Sequence, residues 1–216
     1  MRRRSPTRDF EWIDVLLPLL KQYRGKKHPL EYKNPYQLLV MVVLAAQTTD
    51  ELINKIAPPL FEAYPTLKHL AKAKPEELFK YVEEVRNFAR KSRWLVTTAK
   101  EIGDDSQIPG TIEQLTALPG IGRKSANVIM RETGRPAEGV IVDLHVLRVA
   151  PRIGVASGTN PEKIEKQLMQ VIPQKNWGEA GMAFSFLGRE LCRPTNPNCG
   201  ACVMNKVCAY HKAMKK

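Results

Sequence analysis

The first 191 residues contain no cysteine. Nor does the chain hold an apolar run near the ~18 residues that a membrane span needs. The longest, Leu38 to Ala46, is far shorter. The basic opening Met1-Arg2-Arg3-Arg4-Ser5 leads into no hydrophobic core of a signal peptide. The expectation is a soluble protein that is not secreted. No segment sustains the two-residue alternation of a half-buried strand, which argues against a β-rich fold. There is no internal repeat and no low-complexity linker. Acidic residues are few: 22 Asp and Glu stand against 34 Lys and Arg, a formal charge of +12. Such an excess favours a polyanionic partner, nucleic acid before a membrane surface. At 216 residues and 43% hydrophobic content, the chain can fill one large domain or two small ones.

What is present is helical periodicity. Residues 1–8 are expected to be a disordered basic arm. Phe10, Ile13, Leu16, Leu17, Leu20 and Tyr23 then mark an amphipathic helix, which Pro18 should kink or delay. Asn34-Pro35 is a helix-start signal. Tyr36 to Ala46 is apolar nearly all round, as a buried central helix is. Thr49 or Asp50 can cap a helix over Glu51 to Tyr64, which Pro58-Pro59 should break or bend. Short helices are expected after Pro65-Thr66 and Lys74-Pro75, and a longer one over Phe88 to Ile102. Thr111-Ile112-Glu113-Gln114 resembles a capping box. Val140-Ile141-Val142 is an isolated strand-like stretch, and Asp143 stands where an N-cap belongs. Asn160-Pro161 and Trp177 open the last helices. The fold class is all-α, with roughly ten helices and short connections.

One stretch carries more than packing: Leu118-Pro119-Gly120-Ile121-Gly122-Arg123-Lys124-Ser125-Ala126. Two glycines two apart predict a tight hairpin whose backbone a ligand can approach closely. The amides opening the next helix would point toward an anion, with Lys124 within a turn of it. The plainer reading is a helix connection whose glycines serve the turn and whose lysine is solvated.

The cysteines read Cys192-x6-Cys199-x2-Cys202-x5-Cys208, all within the last 25 residues. Such crowding in one tail suggests a metal site before disulfides. Zinc sites usually pair cysteines two to four apart, and only the middle pair qualifies. An iron–sulfur cube is larger and tolerates uneven spacing. A zinc knuckle and unligated thiols stay open as alternatives.

Taken together, these elements resemble the endonuclease III family of the helix–hairpin–helix DNA glycosylase superfamily. Leu118 to Ala126 is similar to the family hairpin, with lysine where the bifunctional members keep theirs. Val142-Asp143-Leu144-His145-Val146-Leu147-Arg148-Val149 is similar to its aspartate segment, and the cysteine spacing to its [4Fe–4S] signature. Ala46-Gln47-Thr48-Thr49-Asp50 is a weaker match. The resemblance spans about residues 10–210.

It implies a base-excision-repair glycosylase with AP-lyase activity on oxidised pyrimidines. Its partner would be double-stranded DNA with damaged bases or abasic sites, in the cytoplasm and associated with the nucleoid, and the protein a monomer. Lys124 and Asp143 would be catalytic. Cys192, Cys199, Cys202 and Cys208 would hold the cluster. Gln47, Leu118, Gly120, Gly122, Arg123 and His145 would face DNA, Gln47 filling the gap left by the flipped nucleotide. For His145, a structural hydrogen bond is expected rather than catalysis. The implied domains are residues 28–136, a six-helix barrel carrying the hairpin, and residues 1–27 with 137–216, holding the cluster, with a DNA cleft between them. A mismatch-specific member and a non-catalytic iron–sulfur DNA-binding protein are the alternatives. Adenine-specific members carry a further C-terminal domain, for which eight residues past the last cysteine leave no room.

The sequence departs from the family in two places. In Val85-Arg86-Asn87-Phe88-Ala89-Arg90-Lys91, Asn87 replaces the apolar wedge and Arg86 the preceding glycine. Leu144 stands where threonine is common, beside Asp143.

Overall fold

The computed structural model describes residues 11–214. The arm at residues 1–8 and Phe10 lie outside them. The described residues hold twelve α-helices, three 3-10 turns and no strand. By its internal contacts the chain divides into two units. One is Lys26–Glu138; the other joins the chain up to Gly25 to the chain from Gly139.

The first helix, α1 (Trp12–Tyr23), belongs to the second of these units and runs through Pro18. The Lys26–Glu138 unit then holds seven helices. Its centre is α2 (Pro35–Leu44), with Asn34 accepting from the Gln37 amide. Every α2 residue from Tyr36 to Leu44 except Gln37 is buried, as the all-round apolar pattern requires. Helix α3 (Asp50–Ala63) is capped by Thr49, not Asp50. It passes unbroken through Pro58-Pro59. Both prolines are exposed, while Ile53, Ile56, Ala57 and Leu60 anchor the opposite face. The carbonyls deprived of donors lie on the wetter side, where water can serve them.

Helices α4 (Leu67–Lys72) and α5 (Phe79–Val82) are short. Next comes α6 (Phe88–Ile102), which packs on α2 and α4. Helix α7 (Ile112–Ala117) is capped by Thr111, whose hydroxyl accepts from the Gln114 amide. The hairpin then leads into α8 (Arg123–Glu132), which packs on α2 and α7.

In the other unit, Val140 to Val142 is buried but is no strand. No other strand exists among the described residues to pair with it. It crosses Gly181 so closely that a Cβ there would lie 2.7 Å from the Ile141 backbone. This connector delivers Asp143 to the start of α9 (Leu144–Ile153). Helix α10 (Pro161–Val171), capped by Asn160, packs on α9. So does α11 (Trp177–Glu190), which α1 covers from another side. Tyr23 of α1 stacks on Phe186 and donates to Glu190 at 2.9 Å. The chain ends in α12 (Ala209–Met214), also against α9. None of the described helices is long and apolar enough to cross a membrane.

Candidate functional site

The hairpin is a tight turn with a proline and a glycine at its corners. The Ile121 amide donates to the Leu118 carbonyl at 3.3 Å. Pro119 and Gly120 occupy the central positions, and Gly120 has φ +81°, the arrangement of a type II turn. Leu118 and Ile121 are buried and anchor the loop. Glycine at 120 is doubly required. Its φ disfavours any side chain, and a Cβ would meet Trp94 of α6 at 2.6 Å. Gly120→Ala is therefore expected to cost about 1–3 kcal/mol, read as a lower melting temperature. Gly122 differs: it is extended, exposed, and a Cβ there would meet nothing. Packing within its own unit gives no reason for a glycine at this position.

Gly122 is also the N-cap of α8 and supplies no capping oxygen. Six other helices are capped by a side chain, from Asn34, Thr49, Thr66, Thr111, Asp143 and Asn160. The uncapped start of α8 presents the positive end of its dipole beside exposed Arg123 and Lys124. A phosphate is the ligand such a start accepts.

In the same unit, Gln47 is exposed with φ +60°, just past the end of α2. That turn is held from behind by Lys91, a residue the sequence did not single out. The Lys91 amine donates to the Leu44 carbonyl at 2.7 Å and to the Ala46 carbonyl at 2.5 Å. The residue is 2% exposed. Burial, and then the charge of Arg90, lower its pKa to about 8. The unfolded chain holds that proton more tightly, so stability should rise with pH between about 8 and the unfolded value near 10.5, and lie flat below 8. Lys91→Met should abolish this rise. It should also cost about 1–3 kcal/mol at pH 7, because the Leu44 and Ala46 carbonyls lose their donor. Urea denaturation at pH 7 and 9.5 reads both effects.

Asn87, where the resemblance places the wedge, is exposed and left-handed, with φ 59° and ψ 33°. Asparagine tolerates this conformation better than a bulky aliphatic does.

Asp143 lies in the other unit. One carboxylate oxygen accepts from the amides of His145 and Val146, each at 2.8 Å, and so caps α9. The second accepts from the Ser185 hydroxyl at 2.6 Å. His145 is half-buried, with Nδ1 3.2 Å from Arg148. Arg148 also donates to the carbonyls of Cys192 and Gly188, both at 2.9 Å. Leu144 is 78% exposed beside Asp143.

All four cysteines line one cavity, together with Ile153, Leu187 and Leu191. None is in a disulfide. Burial, then electrostatic repulsion from Cys192 and Cys208, raise the Cys199 pKa, and burial is likewise the main cause raising Cys202. Arg152 ties the loop down: it donates to the carbonyls of Arg193 at 2.7 Å and Pro194 at 3.0 Å. Its guanidinium lies 3.5 Å from the Cys192 sulfur and over the Tyr210 ring.

A helical chain with a glycine hairpin opening an uncapped, basic helix defines a helix–hairpin–helix protein. The chain belongs to the HhH-GPD superfamily of base excision DNA repair proteins, whose family model matches residues 40–174. It is 36% identical to an endonuclease III of Synechocystis over 202 residues, covering 93% of this chain and 92% of that protein. To an endonuclease III of Thermotoga maritima it is 32% identical, covering 88% and 91%. A solved trapped endonuclease III–DNA covalent intermediate superimposes with a TM-score of 0.85 at 31% identity. That match covers 95% of this chain and 97% of the solved one.

Trp94, Lys91 and Ser185 went unread in the sequence because each acts only through tertiary contact. Ser185 left one trace, a polar residue within the apolar stretch Ala183-Phe184-Ser185-Phe186-Leu187.

Proposed function

We propose that this base excision repair DNA glycosylase is bifunctional, acting also as an AP lyase on oxidised pyrimidines through Lys124. The observation that supports the reading best is the uncapped start of α8, with Lys124 as its second residue. A backbone phosphate held by the amides of this start and by the open Gly122 would bring the next deoxyribose toward the lysine. Recognition of this kind reads no sequence, so binding should weaken steeply with salt.

The damaged nucleotide is first turned out of the stack, and Gln47 occupies the gap. The Lys124 amine then attacks C1′. A C1′–N bond forms to the protein, and the bond to the base breaks. The base leaves with the electron pair and takes up a proton. The sugar ring then opens at C1′–O4′ as the nitrogen lone pair forms the C1′=N bond, and the nitrogen's proton passes to O4′, leaving an imine. Loss of a proton from C2′ then expels the 3′ phosphate, which cuts the strand. Asp143 stabilises the positive charge that develops at the sugar, and its carboxylate is oriented for this by three hydrogen bonds.

Cys192, Cys199, Cys202 and Cys208 would hold a [4Fe–4S] cluster. The four thiols line one cavity. A cube spans a wider ligand set than one zinc does. When bound, the cluster supplies negative charge and a redox centre, and it cross-links the loop. Iron and sulfide at four each per chain are expected by analysis; one zinc per chain would refute this part.

The test of the activity is borohydride trapping on duplexes containing thymine glycol or an abasic site. A covalent adduct at a one-to-one ratio is expected. Binding without any adduct would refute the lyase assignment.

A further inference from the structure

Helix α11 meets the segment 141–149 along three small residues spaced as one helical face: Gly181, Ser185 and Gly188. A Cβ at Gly181 would strike Ile141, and one at Gly188 would come within 2.7 Å of the His145 Cβ. The two glycines are explained by close approach alone. Ser185 between them is not, because it carries a hydroxyl into a surface that is otherwise closely packed. It is 1% exposed, and its oxygen lies 2.6 Å from the second carboxylate oxygen of Asp143.

The direction of this bond is fixed by what lies behind it. Arg189 Nε is 3.4 Å from the Ser185 oxygen, and a guanidinium can only donate. The hydroxyl therefore accepts from Arg189 and gives its own proton to Asp143. A directed chain runs from the cation through the hydroxyl to the carboxylate, and each bond polarises the next. Capping α9 needs only the first carboxylate oxygen, which already takes two amides. The bond from Ser185 is thus surplus to the cap. What it does is fix the rotation of the carboxylate and hold negative charge on the oxygen that the cap leaves over.

We propose that Ser185 is a positioning residue for the glycosylase reaction, acting through Asp143 with Arg189 behind it. The inference rests on the reading of Asp143 as the group that stabilises charge at the sugar. It assigns the buried serine to the rate of the chemical step, not to DNA binding and not to the fold.

The experiment is a double-mutant cycle of Ser185→Ala and Asp143→Asn. Single-turnover base release is measured on a thymine-glycol duplex, and affinity on a duplex with a tetrahydrofuran abasic analogue. Ser185→Ala is expected to slow base release about tenfold, with affinity within twofold of wild type and the helical circular dichroism unchanged. The double variant should be no more than about twofold slower than Asp143→Asn alone, because the serine then has no carboxylate to act on. Base release by Ser185→Ala within twofold of wild type overturns the proposal. So does a double variant slower by the product of the two single effects, or a loss confined to affinity. Should Asp143→Asn itself retain the wild-type rate, the reading of Asp143 falls instead, whatever Ser185→Ala does.

Discussion

Lys124→Ala is expected to yield no borohydride adduct and to slow strand cleavage by roughly a thousandfold or more, on the order of 4 kcal/mol of transition-state stabilisation. The size follows from the absence of a second amine at the start of α8, since the hydroxyl of the next residue, Ser125, cannot form an imine. Arg123 precedes Lys124 and stays charged, so it cannot attack. The other lysine that this unit holds in a special setting, Lys91, has its amine committed to two carbonyls. The fold should not suffer. Lys124 is exposed, alanine is a strong helix former, and the Ala126 amide bonds the Gly122 carbonyl irrespective of the side chain. A melting temperature close to that of wild type should accompany the loss. A lysine serving only as a cation against phosphate behaves differently. Its removal would lower the salt slope of binding by about one and leave trapping intact. Trapping and salt titration on the same variant therefore separate the two roles.

Asp143→Asn is expected to slow base release by about 10²- to 10³-fold while leaving the protein folded. The separation is possible because the two oxygens of Asp143 have different partners. An asparagine oxygen can accept from the His145 and Val146 amides as the aspartate does, so the cap on α9 survives. What is lost is the charge. The amide nitrogen would face the Ser185 hydroxyl, which must then accept where it had donated. Asp143→Ala removes cap and charge together and should cost a further 1–2 kcal/mol of stability, read by urea denaturation. Equal losses of base release in the two variants, with unequal stability, would place the catalytic effect in the charge. A wild-type rate for Asp143→Asn would reduce the residue to a cap.

Much of this molecule is legible along the chain. Helix starts depend on one or two neighbouring residues, and Asn34, Thr49, Thr66, Thr111, Asp143 and Asn160 all cap the helices that follow them. The all-round apolar stretch at 36–44 can only be an interior helix, and α2 is one. Local rules failed where packing outweighs them. Pro58-Pro59 does not break α3, because four buried residues hold the helix on either side. The β-branched run at 140–142 makes no strand, because a strand needs a partner and this one has only the glycine face of α11.

The sequence by itself determined the hairpin, the position of Lys124 in the first turn of a helix, the capping aspartate and the spacing of the four cysteines. These are short-range properties, set by backbone preference and by residues a few positions apart. Only the tertiary structure decided what stands behind them. Trp94 presses on Gly120, Lys91 ties down the turn before Gln47, and Ser185 holds Asp143 from 42 residues away. Such supports come from distant segments brought together by burial, and a buried polar group takes its meaning from the partner it meets there.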